Sequence, residues 1–96
     1  MQNENKIITY IGFAIKSNQI VFGVDLIEEY RKKIHLIVVS CDLSQKSKQR
    51  LEIIANKRNL EILTLDTSLE NITKRKNCKV LAITNFELAK AIKNNA

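Results

Sequence analysis

Apolar residues recur with two different periods along this chain of 96 residues. In residues 6–16 they return every three or four positions, which predicts a helix buried on one face. Residues 35–40 (HLIVVS) are nearly all apolar, which is typical of a strand buried on both faces. The two patterns alternate in the order α-β-α-β-α-β-α-β-α. Predicted helices cover 6–16, 24–33, 44–59, a short segment after 67 and a segment from 86; predicted strands cover 19–23, 35–40, 61–66 and 79–84.

Polar residues at the helix starts support these boundaries. Ser44 is placed to cap the third helix. Residues 67–70 (TSLE) and 84–87 (TNFE) fit the Thr-x-x-Glu capping box, which places Thr at the cap of the last two helices. On the helices themselves, the spacing predicts that Leu26 and Phe86 point inward.

Helices that alternate with short apolar strands predict an α/β fold. The expected architecture is a three-layer α/β/α sandwich around a four-stranded mixed, mostly parallel sheet. A chain of this length is too short for two hydrophobic cores, so we expect residues 1–96 to form a single domain.

The composition narrows the possible partners and cofactors. Sixteen Lys and Arg against ten Asp and Glu give a net charge of +6, which favours an anionic partner such as nucleic acid. No proline and only two glycines are present, which excludes a glycine-rich phosphate loop. With a single histidine, a metal cluster built on His is also excluded. We therefore expect no cofactor and no metal.

The compartment is predicted from the same sequence. The first residues, MQNENK, are polar and do not resemble a signal peptide. The longest purely apolar run, 36–39, is far too short to span a membrane. Cys41 and Cys78 lie in or beside apolar runs, where a thiol behaves as a small hydrophobe. These features predict a reduced, cytoplasmic protein without a membrane partner, and we favour a monomer.

Catalytic residues are not indicated. Cys41 follows a strand and precedes a capped helix, but position 47 is Ser47 where a cysteine phosphatase needs Arg. Asp42 and Asp66 follow strands, where α/β enzymes place active sites, yet both are also ordinary turn residues. His35 has no second histidine with which to share a metal. We favour the structural interpretation in each case and expect no enzymatic activity.

Two clusters of basic residues are more informative. The first lies on the third helix and consists of Lys46, Lys48, Arg50, Lys57 and Arg58, a pattern equally consistent with a solvated helix face. The second, Lys-Arg-Lys-Asn-Cys-Lys at 74–79, lies in the connection to the last strand. Four cations in six residues repel one another unless an anion binds there, so this loop is the stronger prediction of phosphate contact.

Residues from about 6 to 94 resemble the L-seven-Ae ribosomal protein family, and most of all its small bacterial YlxQ-like branch. The resemblance lies in the order of several short motifs: IGFAIKSNQ, a strand followed by Gly23, Ser-Cys-Asp at 40–42, the helix start at 44–50, and Ile-Thr followed by FELAKA at 83–91. It implies the same three-layer α/β/α sandwich. It also implies RNA binding, because many members bind the kink-turn, a sharply bent internal loop.

The resemblance further implies which residues contact RNA. One group is at the start of the second helix and consists of Gly23, Val24, Asp25 and Leu26. The other is the loop before the last strand, with Lys74, Arg75, Lys76, Asn77 and Lys79. Independently, a helix start offers amides to phosphate and a basic loop adds charge.

The helix start differs from that of kink-turn readers, which carry Asn-Glu where this chain has Asp25-Leu26. An Asp only accepts hydrogen bonds, so it does not donate to a base as an Asn amide does. We therefore expect binding of structured, kink-turn-like RNA, ribosomal or other, driven by charge. Two alternatives remain: a protein-interaction module of the same fold, and a substrate-recognition domain related to those of RNA methyltransferases.

Overall fold

A computed structural model describes residues 2–96, and within them the predicted order of helices and strands is confirmed. The helices are α1 (Glu4–Lys16), α2 (Val24–Glu29), α3 (Gln45–Arg58), α4 (Leu69–Thr73) and α5 (Phe86–Asn94). The strands are β1 (Ile20–Phe22), β2 (Leu36–Val39), β3 (Ile62–Thr64) and β4 (Val80–Ile83). Within residues 2–96, no helix is long and apolar enough to cross a bilayer. The predicted domain also includes Met1, which lies outside the described residues.

The four strands form one mixed sheet in the order β1-β4-β2-β3. β2 and β3 are parallel, whereas β4 runs antiparallel to both of its neighbours, β1 and β2. The prediction of a four-stranded mixed sheet is therefore confirmed, and the prediction that it is mostly parallel is wrong.

The direction of β4 follows from the sheet end at which the chain enters it. Val39 of β2 pairs with Thr64 of β3 and with Val80 of β4, so β4 begins at the sheet end where β3 stops. The 15 residues between the two strands include one short helix, α4, and leave the chain at that same end. Apolar periodicity predicts that a strand exists but carries no information on its direction.

Helices cover both faces of the sheet, as the sandwich predicts. Side chains of β2 alternate: Leu36 and Val38 pack with α1, α4 and α5, whereas Ile37 and Val39 pack with α2 and α3. All four are buried, and so are the residues of the neighbouring β4. The α/β/α sandwich is thus built on two central strands that are apolar on both faces.

The helix caps agree with the prediction at one site and differ at two. Ser44 caps α3, with its side chain accepting from the Ser47 amide. Ser68 and Asn85, not the preceding threonines, cap α4 and α5. Thr84 is held in extended backbone because its amide donates to the Gln19 carbonyl, so α5 begins one residue later. Asn is at least as effective a cap as Thr.

α2 is shorter than predicted and buries less. It ends at Glu29 because Tyr30 has an extended backbone, with ψ of 122°. In this short helix Ile27 is fully buried, but Leu26 is 57% exposed. Phe86 at the start of α5 is also 57% exposed and lies edge-on to the His35 ring. The prediction that Leu26 and Phe86 point inward is therefore wrong.

Candidate nucleic-acid interface

Residues 74–79, here called the basic loop, form a tight turn between α4 and β4. Lys74 and Asn77 have left-handed backbones, with φ of 60° and 61°. The Cys78 amide donates to the Arg75 carbonyl, and the Cys78 side chain is buried in the core. Cys78 therefore anchors the loop, while Lys74, Arg75, Lys76 and Asn77 remain exposed.

Arg75 crosses from the basic loop to β1. Its guanidinium carbon lies 4.0 Å from the centroid of the Phe22 ring, a cation–π contact. A guanidinium that lies over the face of a ring keeps its N–H groups at the edge of its own plane, where they remain free to donate to an anion. Phe22 immediately precedes Gly23, so this contact joins the two groups of residues that the sequence selects.

Lys79 has a different role from the rest of the loop. Its ammonium lies 2.5 Å from Asp42 Oδ2 and 3.0 Å from Glu70 Oε1. The hydrogen bonds that Lys79 donates to Asp42 and then to Glu70 raise the pKa of Lys79, and the bonds that Asp42 accepts from Lys79 and then from Ser40 lower the pKa of Asp42. Lys79 is thus bound to two carboxylates, so it fixes the loop in place and is not a free phosphate ligand.

Ser40 extends this polar cluster into the core. It is buried, its hydroxyl donates to the Asp42 carboxylate, and it accepts from the Leu69 amide at 3.1 Å. Leu69 opens α4, the helix that leads into the basic loop. Residues 40–42 therefore set the position of α4 as well as that of Lys79, which gives these polar residues a structural role.

The start of α2 offers less to a phosphate than the sequence suggests. Gly23 has φ of 88°, a conformation that favours glycine, and its amide donates to the Val80 carbonyl at 3.1 Å. This amide is therefore already engaged with the sheet, and phosphate contact by Gly23 stays a prediction. The Val24 amide lies in the first turn of α2, where no carbonyl within the helix accepts from it.

Asp25 is engaged with the first basic cluster. Arg50 Nη2 lies 2.6 Å from Asp25 Oδ1 and 2.9 Å from Glu28 Oε1, which joins α2 to α3. The hydrogen bonds that Arg50 donates to Glu28 and then to Asp25 raise the pKa of Arg50. The cluster on α3 is thus partly neutralised, and the Asp25 carboxylate helps to hold α2 against α3.

A cavity of ≈ 460 Å³ brings most of the selected residues together. The selected residues that line it are Gly23, Val24, Arg75, Lys76, Asn77 and Lys79. Asp25, Leu26 and Lys74 do not line it. Ser44 and Ser47, which carry hydroxyl groups, also line this cavity, and the sequence analysis did not select them for RNA contact. They could have been found from the parallel arrangement of β2 and β3, which brings the start of α3 to the same sheet end.

Leu26 belongs to an adjoining apolar depression of ≈ 420 Å³. Ile20, Phe22 and Tyr30 also line it, and Arg75 lies at the border of both cavities. β1 is an edge strand, so this depression is open on one side. Charged and apolar surfaces therefore meet at Arg75.

Two of the residues weighed for catalysis, His35 and Cys41, lie at opposite ends of β2. Cys41 is an exposed free thiol, whereas Cys78 is buried. Within residues 2–96, no group of three or more His, Cys, Asp or Glu side chains is arranged to hold a metal. His35 packs against Phe86 on the far end of the sheet.

Comparison with known proteins supports the fold alone. No family model matches the chain, and no curated protein sequence matches it. Among solved structures, the chain is similar to "a protein with unknown function" from Bacillus halodurans C. The two share 14% sequence identity with a TM-score of 0.78, over 93% of this chain and 94% of the other. At this level of identity the likeness shows a shared α/β architecture over nearly the whole length.

Proposed function

We propose that this chain is a non-enzymatic RNA-binding protein of the L-seven-Ae type, acting in the cytoplasm on ribosomal or other structured, kink-turn-like RNA. The observation that carries the proposal is the exposure of Lys74, Arg75 and Lys76 on one turn. Among the described residues, none of the three makes an ion pair. Three neighbouring cations repel one another, and a phosphate backbone relieves that repulsion.

Residues in and beside the cavity then have separate roles. Arg75, held over Phe22, donates to phosphate in a fixed orientation, whereas Lys74 and Lys76 contribute flexible point charges. The Asn77 amide and the Ser47 hydroxyl are uncharged groups that hydrogen-bond to phosphate or sugar. Lys79 and its carboxylate partners keep the loop in the shape that presents these groups.

The alternative is a protein-interaction module of the same fold. The apolar depression around Leu26 and Phe22 favours it, because exposed apolar side chains beside an edge strand suit a polypeptide ligand. The two functions place different demands on the surface. RNA binding depends on the charges of the basic loop, and peptide binding depends on Leu26.

Fluorescence anisotropy with a kink-turn RNA and a matched duplex without the bulge, at two salt concentrations, tests the proposal. We expect binding that weakens with salt. The variant K74Q/R75Q/K76Q should reduce the salt slope by up to about two, at ~0.7 per lost contact. A control with the same charge loss, K6Q/K16Q/K90Q, alters exposed lysines on α1 and α5 and should retain most of the affinity.

The outcomes separate the two functions. Kink-dependent binding at the higher salt means that the protein recognises RNA shape, and equal binding to both RNAs means a general RNA-binding surface. If neither RNA binds, the RNA-binding proposal fails. A partner that survives nuclease and high salt, and is lost in Leu26→Asp but retained in K74Q/R75Q/K76Q, would then establish the interaction module.

A further inference from the structure

A second basic surface lies at the other end of the sheet, and the proposed function does not use it. It surrounds a cavity of ≈ 610 Å³ and comprises Arg31, Lys32, Lys33 and Arg58. The residues that line this cavity, all in the described part of the chain, include no Asp or Glu. The surface is therefore as strongly cationic as the basic loop.

The antiparallel direction of β4 separates the two surfaces. The 31–33 segment leads into β2, and the basic loop leads into β4. Since β2 and β4 are antiparallel neighbours, the residues before them lie at opposite ends of the sheet. The His35 amide donates to the carbonyl of Ile83, the last residue of β4, which confirms this placement. The molecule measures 30 × 26 × 24 Å, and the two surfaces lie at opposite ends of its sheet.

Charge at this surface is not neutralised within the protein. Arg31, Lys32 and Lys33 are exposed and, among the described residues, make no ion pair. Arg58 is half-buried, and its guanidinium donates to the carbonyls of Ile27 and Tyr30. That contact holds the end of α2 against α3. Arg58 therefore forms an ordered side of the cavity, and the exposed side chains of residues 31–33 lie beside it.

The exposure of these cations decides which kind of anion suits them. A single exposed ion pair contributes at most about 1 kcal/mol, so a small anion gains little here. A nucleic acid carries a dense row of phosphates with condensed counterions, and each contact releases some of them. An acidic peptide has a lower charge density and lacks most of this gain. The chemistry therefore favours an RNA backbone.

We propose that Arg31, Lys32, Lys33 and Arg58 form a second RNA-backbone contact, so that the protein binds RNA at both ends of its sheet. The choice of RNA as the partner rests on the proposed function, whereas the location of the surface does not. An RNA that contacts both ends either bends around the protein or supplies two separate segments. The protein thus acts as a bridge between phosphate backbones.

Residue-resolved NMR on the full chain tests this proposal. The kink-turn RNA and its matched duplex are titrated separately into the ¹⁵N-labelled protein, and amide shifts at 31–35 and 58–60 are followed separately from those at 74–79. We expect both groups to shift. In R31Q/K32Q/K33Q the amides at 31–35 and 58–60 should stop shifting, while those at 74–79 still shift. The slope of log affinity against log salt concentration should fall by about two. The control K6Q/K16Q/K90Q, with the same charge loss, should keep both groups.

Other outcomes overturn one proposal or the other. Shifts confined to 74–79 at saturating RNA eliminate the second surface and leave the proposed function intact. Shifts confined to 31–35 and 58–60 support the second surface and eliminate the basic loop as the RNA site. Absence of shifts in both groups eliminates both proposals. If polyglutamate at the same salt shifts 31–35 as strongly as RNA does, the assignment of the partner as RNA is wrong.

Discussion

The guanidinium of Arg75 stacks on the ring of Phe22, with 4.0 Å between the guanidinium carbon and the ring centroid. This contact connects a loop near the C-terminal end of the chain to the first strand of the sheet. It orients the one planar cation of the basic loop and leaves its hydrogen-bond donors accessible. RNA affinity is therefore expected to depend on Phe22, although its uncharged ring offers nothing to a phosphate.

Removal of the stacking contact should weaken RNA binding without removing charge. For Phe22→Leu we expect a loss of about 0.5–1 kcal/mol in binding free energy, or ~2- to 5-fold in Kd, because Arg75 loses its orientation. Arg75→Lys should have a similar effect, since it keeps the charge but not the planar fork. Anisotropy titrations measure both. Phe13→Leu, which alters an exposed ring on α1, is the matched control and should bind as the wild type does.

The ion pair of Asp42 with Lys79 should make stability depend on pH. Because the pKa of Asp42 is lowered on folding, its contribution is present above the ordinary Asp pKa of about 3.9 and is lost as pH falls through the lower folded value. Asp42→Asn should therefore melt at a lower temperature than the wild type at pH 7, and the difference should shrink in acid.

Thermal melts between pH 7 and pH 2 test this expectation. Asp66→Asn is the control, because Asp66 is exposed and makes no ion pair among the described residues. A difference between wild type and Asp42→Asn that stays constant down to pH 2 would contradict the ion-pair explanation. On the alkaline side the raised pKa of Lys79 preserves its contribution until pH exceeds the ordinary Lys value of about 10.4.

Substitution of Arg58 should destabilise the fold. Its guanidinium donates to the Ile27 and Tyr30 carbonyls at the end of α2, where Ile27 also accepts from the Tyr30 amide. For Arg58→Gln we expect a loss of about 1–2 kcal/mol in the free energy of unfolding, measured by urea denaturation. Lys57→Gln, the adjacent exposed cation, should change it by less than about 0.5 kcal/mol. Equal effects for the two variants would mean that the carbonyl contacts contribute nothing.

Lys74→Gly should move stability and RNA binding in opposite directions. Lys74 caps α4 with φ of 60°, a conformation in which a side chain is strained and glycine is not. We expect the free energy of unfolding to rise by about 0.5–1 kcal/mol while RNA affinity falls, because one cation is lost. Urea denaturation and anisotropy on one preparation measure both. Asn18→Gly, at another left-handed residue (φ of 57°) that lines neither basic cavity, is the control and should leave RNA binding unchanged.

The local pattern of apolar residues was sufficient to predict the helices and strands, but not the strand directions or the contacts between residues distant in sequence. The stripe on α1 and the apolar run of β2 each reflect burial of nearby residues, and both predictions are confirmed. The direction of β4 depends on the sheet end at which the chain enters it, which periodicity does not encode. Whether Arg50 and Lys79 are free depends on Glu28 and Asp42, which lie 22 and 37 residues away in the sequence, so charge runs alone overestimate the number of free cations.

The second basic surface shows a related limit. Arg31, Lys32 and Lys33 are consecutive in the sequence, but the predicted second helix would have included them in its final turn. α2 instead ends at Glu29, and the three cations follow on irregular backbone. Arg58 joins them only through packing of α3 against α2. A cavity made by two separate segments, 31–35 and 58–60, has no single sequence signature.

The central position of β4 has a consequence for the order in which the sheet assembles. β1 makes its ladder with β4 alone, in pairs such as Ile20 with Ile83, so its partner is synthesised about sixty residues later. Until β4 emerges from the ribosome, β1 has no strand to pair with, and only the local β2–β3 pair is complete. Closure of the sheet is then a late, long-range event of the kind that slows folding and exposes unpaired strand edges. A chain truncated before residue 80 should therefore retain no native sheet around β1, however intact its own sequence is.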